Sequence, residues 1–120
     1  MRVTGDEFES LVERALDQLP PEFGALLDNV AVVIEDEPSP EDLASVGLEH
    51  PDELLGLYVG VPLTERESSF YGDLPDRVVL YRRPILAVCR NRREVIREVR
   101  DTLMHELGHH FGLSDDDMPY

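Results

Sequence analysis

One stretch near the end of the chain reads His105-Glu106-Leu107-Gly108-His109-His110-Phe111-Gly112-Leu113-Ser114-Asp115. Residues four apart on a helix share a face, so His105 and His109 can direct two imidazoles at one zinc ion, with Glu106 beside them as a base. Gly112 can end that helix in the left-handed conformation and turn the chain so that Asp115 becomes a third ligand. Three protein ligands leave one zinc position open for water, as catalytic zinc sites do. The stretch therefore predicts a catalytic metal site.

The motif is expected on a long helix over residues 91–110. Apolar residues at helical spacing form one stripe along that helix: Ile96, Val99, Leu103 and Leu107. The histidine pair lies on roughly the opposite side, together with Glu98 and Thr102, so we expect it to face a cleft rather than the core. His110 falls on the apolar side, where a hydrogen-bonded core residue is expected rather than a metal ligand.

The amino-terminal part of the chain predicts helices around a buried strand. Thr4 and Glu7 fit a capping box that opens an amphipathic helix. The β-branched residues 29–35 predict a buried strand, expected to be central in its sheet. Ser39, followed by a proline, predicts the start of a short helix that Gly47 closes.

Two further strands are predicted before the last helix. Residues 54–63 are apolar but include Gly56 and Gly60, which is typical of a strand that another part of the molecule approaches closely. Residues 77–83 predict the next strand, and residues 85–88 are expected to bridge it to the last helix. At 120 residues, the chain suits a single α+β domain over positions 1–120.

Charge and composition exclude several classes of function. With 26 acidic and 11 basic residues, the chain has a net charge of -15, which argues against a nucleic-acid partner. The single cysteine, Cys89, excludes an intrachain disulfide and favours a reducing compartment. The longest aliphatic run, residues 30–34, is far shorter than the roughly 20 residues that span a membrane. We therefore expect a soluble, cytoplasmic protein without a secretory signal or a membrane-spanning segment.

Arginines are dense at the start of the last helix. Acidic residues alternate with them, and Arg97 lies four positions before Asp101, which predicts a salt-bridged face exposed to solvent. Docking of an acidic partner or of single-stranded nucleic acid on this face together with Arg77, Arg82 and Arg83 is the alternative. Five arginines make up this cluster: Arg90, Arg92, Arg93, Arg97 and Arg100.

The stretch from His105 to Asp115 resembles the Asp-zincin signature HExxHxxGxxD, and the chain, including the run Leu74 to Pro84, is similar to the small bacterial minimal-zincin metallopeptidases. That resemblance implies a small mixed sheet of three to four strands, with an edge strand along the cleft. It also implies a backing helix and a long carboxy-terminal active-site helix. Glu106 would then be the general base, and three residues would bind zinc: His105, His109 and Asp115.

The function expected from this resemblance is that of a zinc-dependent metallopeptidase acting on a peptide or protein substrate. A zinc-bound water activated by Glu106 would attack the peptide carbonyl. A catalytically weak or inactive zinc-binding protein of the same fold, acting as an interaction module, is the alternative, and a non-haem iron site is a more distant one. Asp116 or Asp117 would replace Asp115 if the turn were one residue longer. Four tyrosines are candidates to stabilise the oxyanion: Tyr58, Tyr71, Tyr81 and Tyr120.

Overall fold

The computed structural model describes residues 1–60 and 75–112. In chain order, the helices and strands of these residues are α1 (Gly5–Asp17), α2 (Pro21–Leu26), β1 (Val30–Glu35), α3 (Pro40–Ser45), β2 (Gly56–Val59), β3 (Asp76–Tyr81), α4 (Arg82–Ala87) and α5 (Arg92–His110). Short 3-10 turns at Leu27–Asn29 and Pro51–Glu53 precede β1 and β2. The predicted α+β class is confirmed.

Local sequence signals explain how the short helices begin. Thr4 caps α1 by accepting a hydrogen bond from the backbone N–H of Glu7 at 3.1 Å. The second half of the predicted capping box is wrong, because the carboxylate of Glu7 pairs with Arg92 at the start of α5 instead. A complete capping box opens α3, where Ser39 and Asp42 exchange side-chain and backbone hydrogen bonds. The short helix predicted there is confirmed, and Gly47 follows it with a φ of 73°.

The three strands of the described residues form a mixed sheet in the order β1-β3-β2. β1 is parallel to β3, with Val32 opposite Val78, and β2 is antiparallel to β3, with Tyr58 opposite Val78. The prediction that residues 29–35 form the central strand is wrong, because β3 lies between its two neighbours. Among the described strands, β2 lies at an edge of the sheet and contacts α5.

The two faces of β3 are covered by different layers. Val78 and Leu80 lie in the main core with α1 and α5, whereas Val79 and Tyr81 lie in a second cluster with Leu43 of α3. The hydroxyl of Tyr81 donates to the carboxylate of Asp42 at 2.9 Å, which joins α3 to the end of β3. A strand buried on both faces belongs in the middle of a sheet, while β1 is only half-buried.

Helix α4 replaces the end of the predicted strand 77–83 and the predicted bridge at residues 85–88. Its proline, Pro84, lies in the first helical turn, where a backbone N–H has no partner within the helix and proline is tolerated. Arg82 and Arg83 fix this turn through ion pairs with Asp36 at 2.9 Å and Glu37 at 2.8 Å. None of the helices in residues 1–60 and 75–112 has the length and apolar character needed to cross a bilayer.

Candidate metal centre

The helix that carries the motif has clear ends. Asn91 caps α5 by accepting a hydrogen bond from the N–H of Glu94 at 2.9 Å, so the helix begins where the sequence predicts. It ends at His110, and Gly112 follows with a φ of 82°. Glycine enters this left-handed region without steric cost, which confirms the predicted stop. The chain therefore turns away from the helix axis directly after the histidines.

His105 and His109 lie one above the other on the same face of α5. Their ring centroids are 5.6 Å apart and the ring planes are tilted by 55°. Two imidazoles bound to one zinc ion through nitrogens at about 2.0–2.1 Å would have centroids about 5–6 Å apart. His105 is half-buried and His109 is exposed. The spacing of the pair thus fits a shared metal ion.

Glu106 lies beside the pair and reaches the edge strand. The backbone N–H of Tyr58 lies close enough to its carboxylate to influence its pKa. Burial raises the pKa of Glu106, while the charge of His109 and the Tyr58 N–H act in the opposite direction. A carboxylate with a raised pKa is a stronger proton acceptor than an exposed one.

The register of β2 explains why the Tyr58 N–H is available. In an antiparallel pair, directly opposed residues alternate between exchanging hydrogen bonds and making none. The N–H of Tyr81 donates to the carbonyl of Leu55 at 3.0 Å, so the hydrogen-bonded positions of β2 are Leu55 and Leu57. Tyr58 falls between such positions, and its N–H points away from β3 toward α5.

A groove of about 380 Å³ runs between α5 and the start of β2. It passes His105 and Glu106 and is lined by residues of α5, of the segment that leads into β2, and of β2 itself: Glu53, Leu54, Leu55, Gly56, Glu98, Asp101, Thr102, His105 and Glu106. This location matches the helix face that the sequence predicts to open onto a cleft. Desolvation, with repulsion from Asp101 second, raises the pKa of Glu98 in this groove.

Gly56 allows the two walls of the groove to meet. A Cβ at this position would lie 2.6 Å from Cγ2 of Thr102 and 3.2 Å from the carbonyl oxygen of Val79. Thr102 is buried, with 8 % of its surface exposed. The close approach predicted from the glycine in this strand therefore occurs, and it is made to the motif helix. At Gly60 a Cβ would meet nothing nearer than 3.7 Å.

His110 does not lie in the core as predicted. Its side chain is 41 % exposed and stacks on the ring of Tyr58, with centroids 3.7 Å apart and planes 12° from parallel. The hydroxyl of Tyr58 donates to Asp76 at 2.7 Å. His110 follows the last buried residues of α5, Leu107 and Gly108, so it lies beyond the core and covers the edge strand. This contact ties the end of the motif helix to β2.

Two of the four tyrosines considered for oxyanion stabilisation are bonded elsewhere. The hydroxyl of Tyr58 is directed at Asp76, and that of Tyr81 is buried against Asp42. Burial has the largest effect on the pKa of Tyr81 and raises it, and the hydrogen bond to Asp42 raises it further. Tyr71 and Tyr120 lie outside the described residues.

The third predicted ligand, Asp115, also lies outside the described residues, as do Asp116 and Asp117. Within residues 1–60 and 75–112, no group of three His, Cys, Asp or Glu side chains is arranged to hold a metal ion. The structure brings together the two histidines and Glu106 at the edge of the sheet.

Sequence reasoning missed the main-chain contact to Glu106 and the Tyr58–Asp76 hydrogen bond. A side-chain motif carries no information about a backbone donor on a distant strand. The glycines in residues 54–63 were the available signal, because they indicated that this strand is approached closely.

Comparison with known proteins identifies relatives of this arrangement. The profile of a family described as zincin-like metallopeptidase matches residues 27–120. A solved structure of a conserved hypothetical protein from Thermus thermophilus shares 33% sequence identity with the chain. The similarity covers 90% of this chain and 94% of that one, with a TM-score of 0.55. No curated protein matches the chain significantly.

Proposed function

The chain belongs to the zincin-like metallopeptidase family, and from this we propose that it hydrolyses peptide bonds in a zinc-dependent reaction. Glu106 is the proposed general base, and the proposed zinc ligands are His105, His109 and Asp115. The observation that carries the proposal is the 5.6 Å spacing of the two imidazoles on one helix face, with the Glu106 carboxylate held next to them.

The donor set supports zinc as the metal. Two neutral imidazoles and one carboxylate are nitrogen and oxygen ligands that zinc commonly binds, and they leave room for substrate. Asp115 follows Gly112 by three positions, and the left-handed turn at Gly112 redirects the chain at that point. When bound, zinc would supply Lewis acidity, which lowers the pKa of water and polarises a carbonyl.

The task of Glu106 is to move a proton. It takes a proton from the attacking water and delivers it to the leaving amine when the peptide bond breaks. The Tyr58 N–H helps to hold the carboxylate in position. The Glu106 side chain is then already ordered before the reaction, which lowers the entropic cost of reaching the transition state. Burial raises its pKa and so supports the uptake of the proton.

A peptide is the substrate class that suits the groove. β2 is an edge strand within the described sheet, and the groove of about 380 Å³ lies between its start and the stretch of α5 that ends at Glu106. An extended peptide fits such a cleft because its backbone can lie along a strand while its side chains enter the groove.

The proposal is tested by comparing the wild type with Glu106→Gln in zinc content and in hydrolysis of a mixed peptide library. The variant should retain zinc and lose at least about a hundredfold in kcat, the contribution typical of a general base. Glu13→Gln makes the same change at an exposed position of α1, and this variant should cleave peptides like the wild type. Zinc-dependent cleavage that persists in Glu106→Gln would refute the role of Glu106.

The ligand assignment has a separate test. Asp115→Ala, Asp116→Ala and Asp117→Ala are matched substitutions at neighbouring positions, and only the first should weaken zinc binding in a competition titration. Equal zinc affinity for Asp115→Ala and the wild type would remove Asp115 from the site. Bound zinc without cleavage of any peptide would instead favour a binding protein of the same fold.

A further inference from the structure

Five arginines line a groove of about 480 Å³ between the end of α1 and the first half of α5. We call it the arginine groove, and its lining residues are Arg14, Gln18, Arg92, Arg93, Ile96, Arg97 and Arg100. As the described residues form it, this lining includes no acidic residue and no aromatic one. In a chain with a net charge of -15, it is a concentrated positive surface.

Three of the five guanidinium groups form no ion pair with a carboxylate among the described residues. Arg92 pairs with Glu7 at 2.9 Å, and Arg100 pairs with Asp101 at 3.2 Å. The predicted pair between Arg97 and Asp101 does not form, and the salt-bridged face expected there is only partly present. Among these five, the groups without an ion pair to a described residue are Arg14, Arg93 and Arg97.

The arginines of the groove lie close together on α5. Arg93 and Arg97 are four positions apart, and Arg100, which pairs with Asp101, follows Arg97 by three, so like charges are neighbours on the helix surface. Glu94 attracts Arg97 without forming an ion pair with it. Arg82 and Arg83, by contrast, each have an acidic partner. Three arginines in one groove without a carboxylate partner among the described residues suit an anionic partner from outside the chain.

The arginine groove is separate from the candidate metal centre. At 100° and 1.5 Å per residue, Arg93, Arg97 and Arg100 are centred about 130° around α5 and ~15 Å along it from the histidine pair. A partner in the groove would therefore leave the metal site open. This inference does not depend on the proposed peptidase activity.

We propose that the arginine groove binds a carboxylate-rich segment of another protein. Arginine pairs with carboxylates through two parallel hydrogen bonds, and three unpaired groups in one groove suit a short acidic segment. Single-stranded nucleic acid fits less well, because its binding sites rely on aromatic stacking platforms, which the described lining lacks. The overall charge of -15 would also repel a long phosphate backbone.

The test measures fluorescence anisotropy of a labelled oligoglutamate peptide as the full chain is added. The variant Arg93→Gln/Arg97→Gln removes two unpaired groups from the groove. Arg2→Gln/Arg77→Gln is the matched control, since it changes the net charge equally at exposed positions that lie outside the groove and form no ion pair among the described residues. Circular dichroism would establish that both variants are folded.

The groove variant should bind the peptide about tenfold more weakly than the wild type, and the control should bind within about twofold of it. Binding should also weaken as salt is raised to about 0.15 M and beyond. Equal weakening in both variants would overturn the proposal, because it would show an effect of overall charge. No binding of oligoglutamate to the wild type, or tighter groove-dependent binding of oligothymidylate, would overturn it as well.

Discussion

Replacing Gly56 with alanine is expected to force β2 away from the motif helix. The added methyl group would lie 2.6 Å from Cγ2 of Thr102, well inside van der Waals contact. Thr102 is buried and cannot swing into solvent, and the second close neighbour is a backbone carbonyl, that of Val79 at 3.2 Å. Neither obstacle can move without disturbing the sheet or α5.

The expected loss in the free energy of unfolding is about 1–2 kcal/mol. Overpacking of a well-packed core typically costs about 1–3 kcal/mol. Alanine recovers about 0.4–1 kcal/mol by restricting the unfolded chain. For a domain of this size, the net loss would lower the Tm by about 3–10 °C.

The assay is urea and thermal unfolding followed by circular dichroism, with a chelator present so that metal does not contribute. Gly60→Ala is the matched control, because its methyl group would meet nothing nearer than 3.7 Å. Thr102→Ser removes only the methyl group that clashes and keeps the hydroxyl. Alone it should cost about 1 kcal/mol for the lost buried methyl.

Combining Gly56→Ala with Thr102→Ser should recover part of the loss, with a coupling free energy of about 1 kcal/mol. Recovery stays partial because the contact with the Val79 carbonyl persists. If Gly56→Ala proved as stable as Gly60→Ala, or if the two changes were simply additive, the close contact between Gly56 and Thr102 would be refuted.

Three further predictions follow from other contacts. Tyr58→Phe removes a hydrogen bond to a carboxylate, so urea unfolding should show a loss of about 1–2 kcal/mol; an unchanged midpoint would contradict the bond to Asp76. Burial raises the pKa of Cys89 to about 11, so its thiol stays protonated at neutral pH. Iodoacetamide should therefore modify Cys89 about a hundredfold more slowly than a free thiol. If the pH dependence of this modification gave a pKa near that of free cysteine, the buried environment of Cys89 would be contradicted. Zinc at about 100 times its Kd should stabilise the wild type by about 2.7 kcal/mol, and His105→Ala should abolish the Tm shift that chelator reverses.

The ends of the motif helix could be read directly from the sequence. Asn91 and Gly112 act through local geometry, a side-chain cap and a left-handed turn, and neither depends on distant residues. The position of β1 could not be read in this way. Its β-branched residues suit any buried or half-buried strand, and only the two-sided burial of β3 decides which strand is central.

In the site, too, the features set by local geometry could be predicted from the sequence, and those set by tertiary contacts could not. The shared face of His105 and His109 follows from helical periodicity alone. The location of His110 does not, because its stack on Tyr58 depends on where β2 meets the end of α5. Glu7 shows the same limit: its spacing from Thr4 fits a capping box, but Arg92, far along the chain, attracts its carboxylate.

The contact that orients Glu106 has a consequence for how this protein can evolve. The donor is the main chain of residue 58, and every amino acid except proline carries that N–H. Mutations at this position can therefore change the side chain that packs on His110 while the N–H beside the base is kept. Of all substitutions at residue 58, proline is the one that selection should remove.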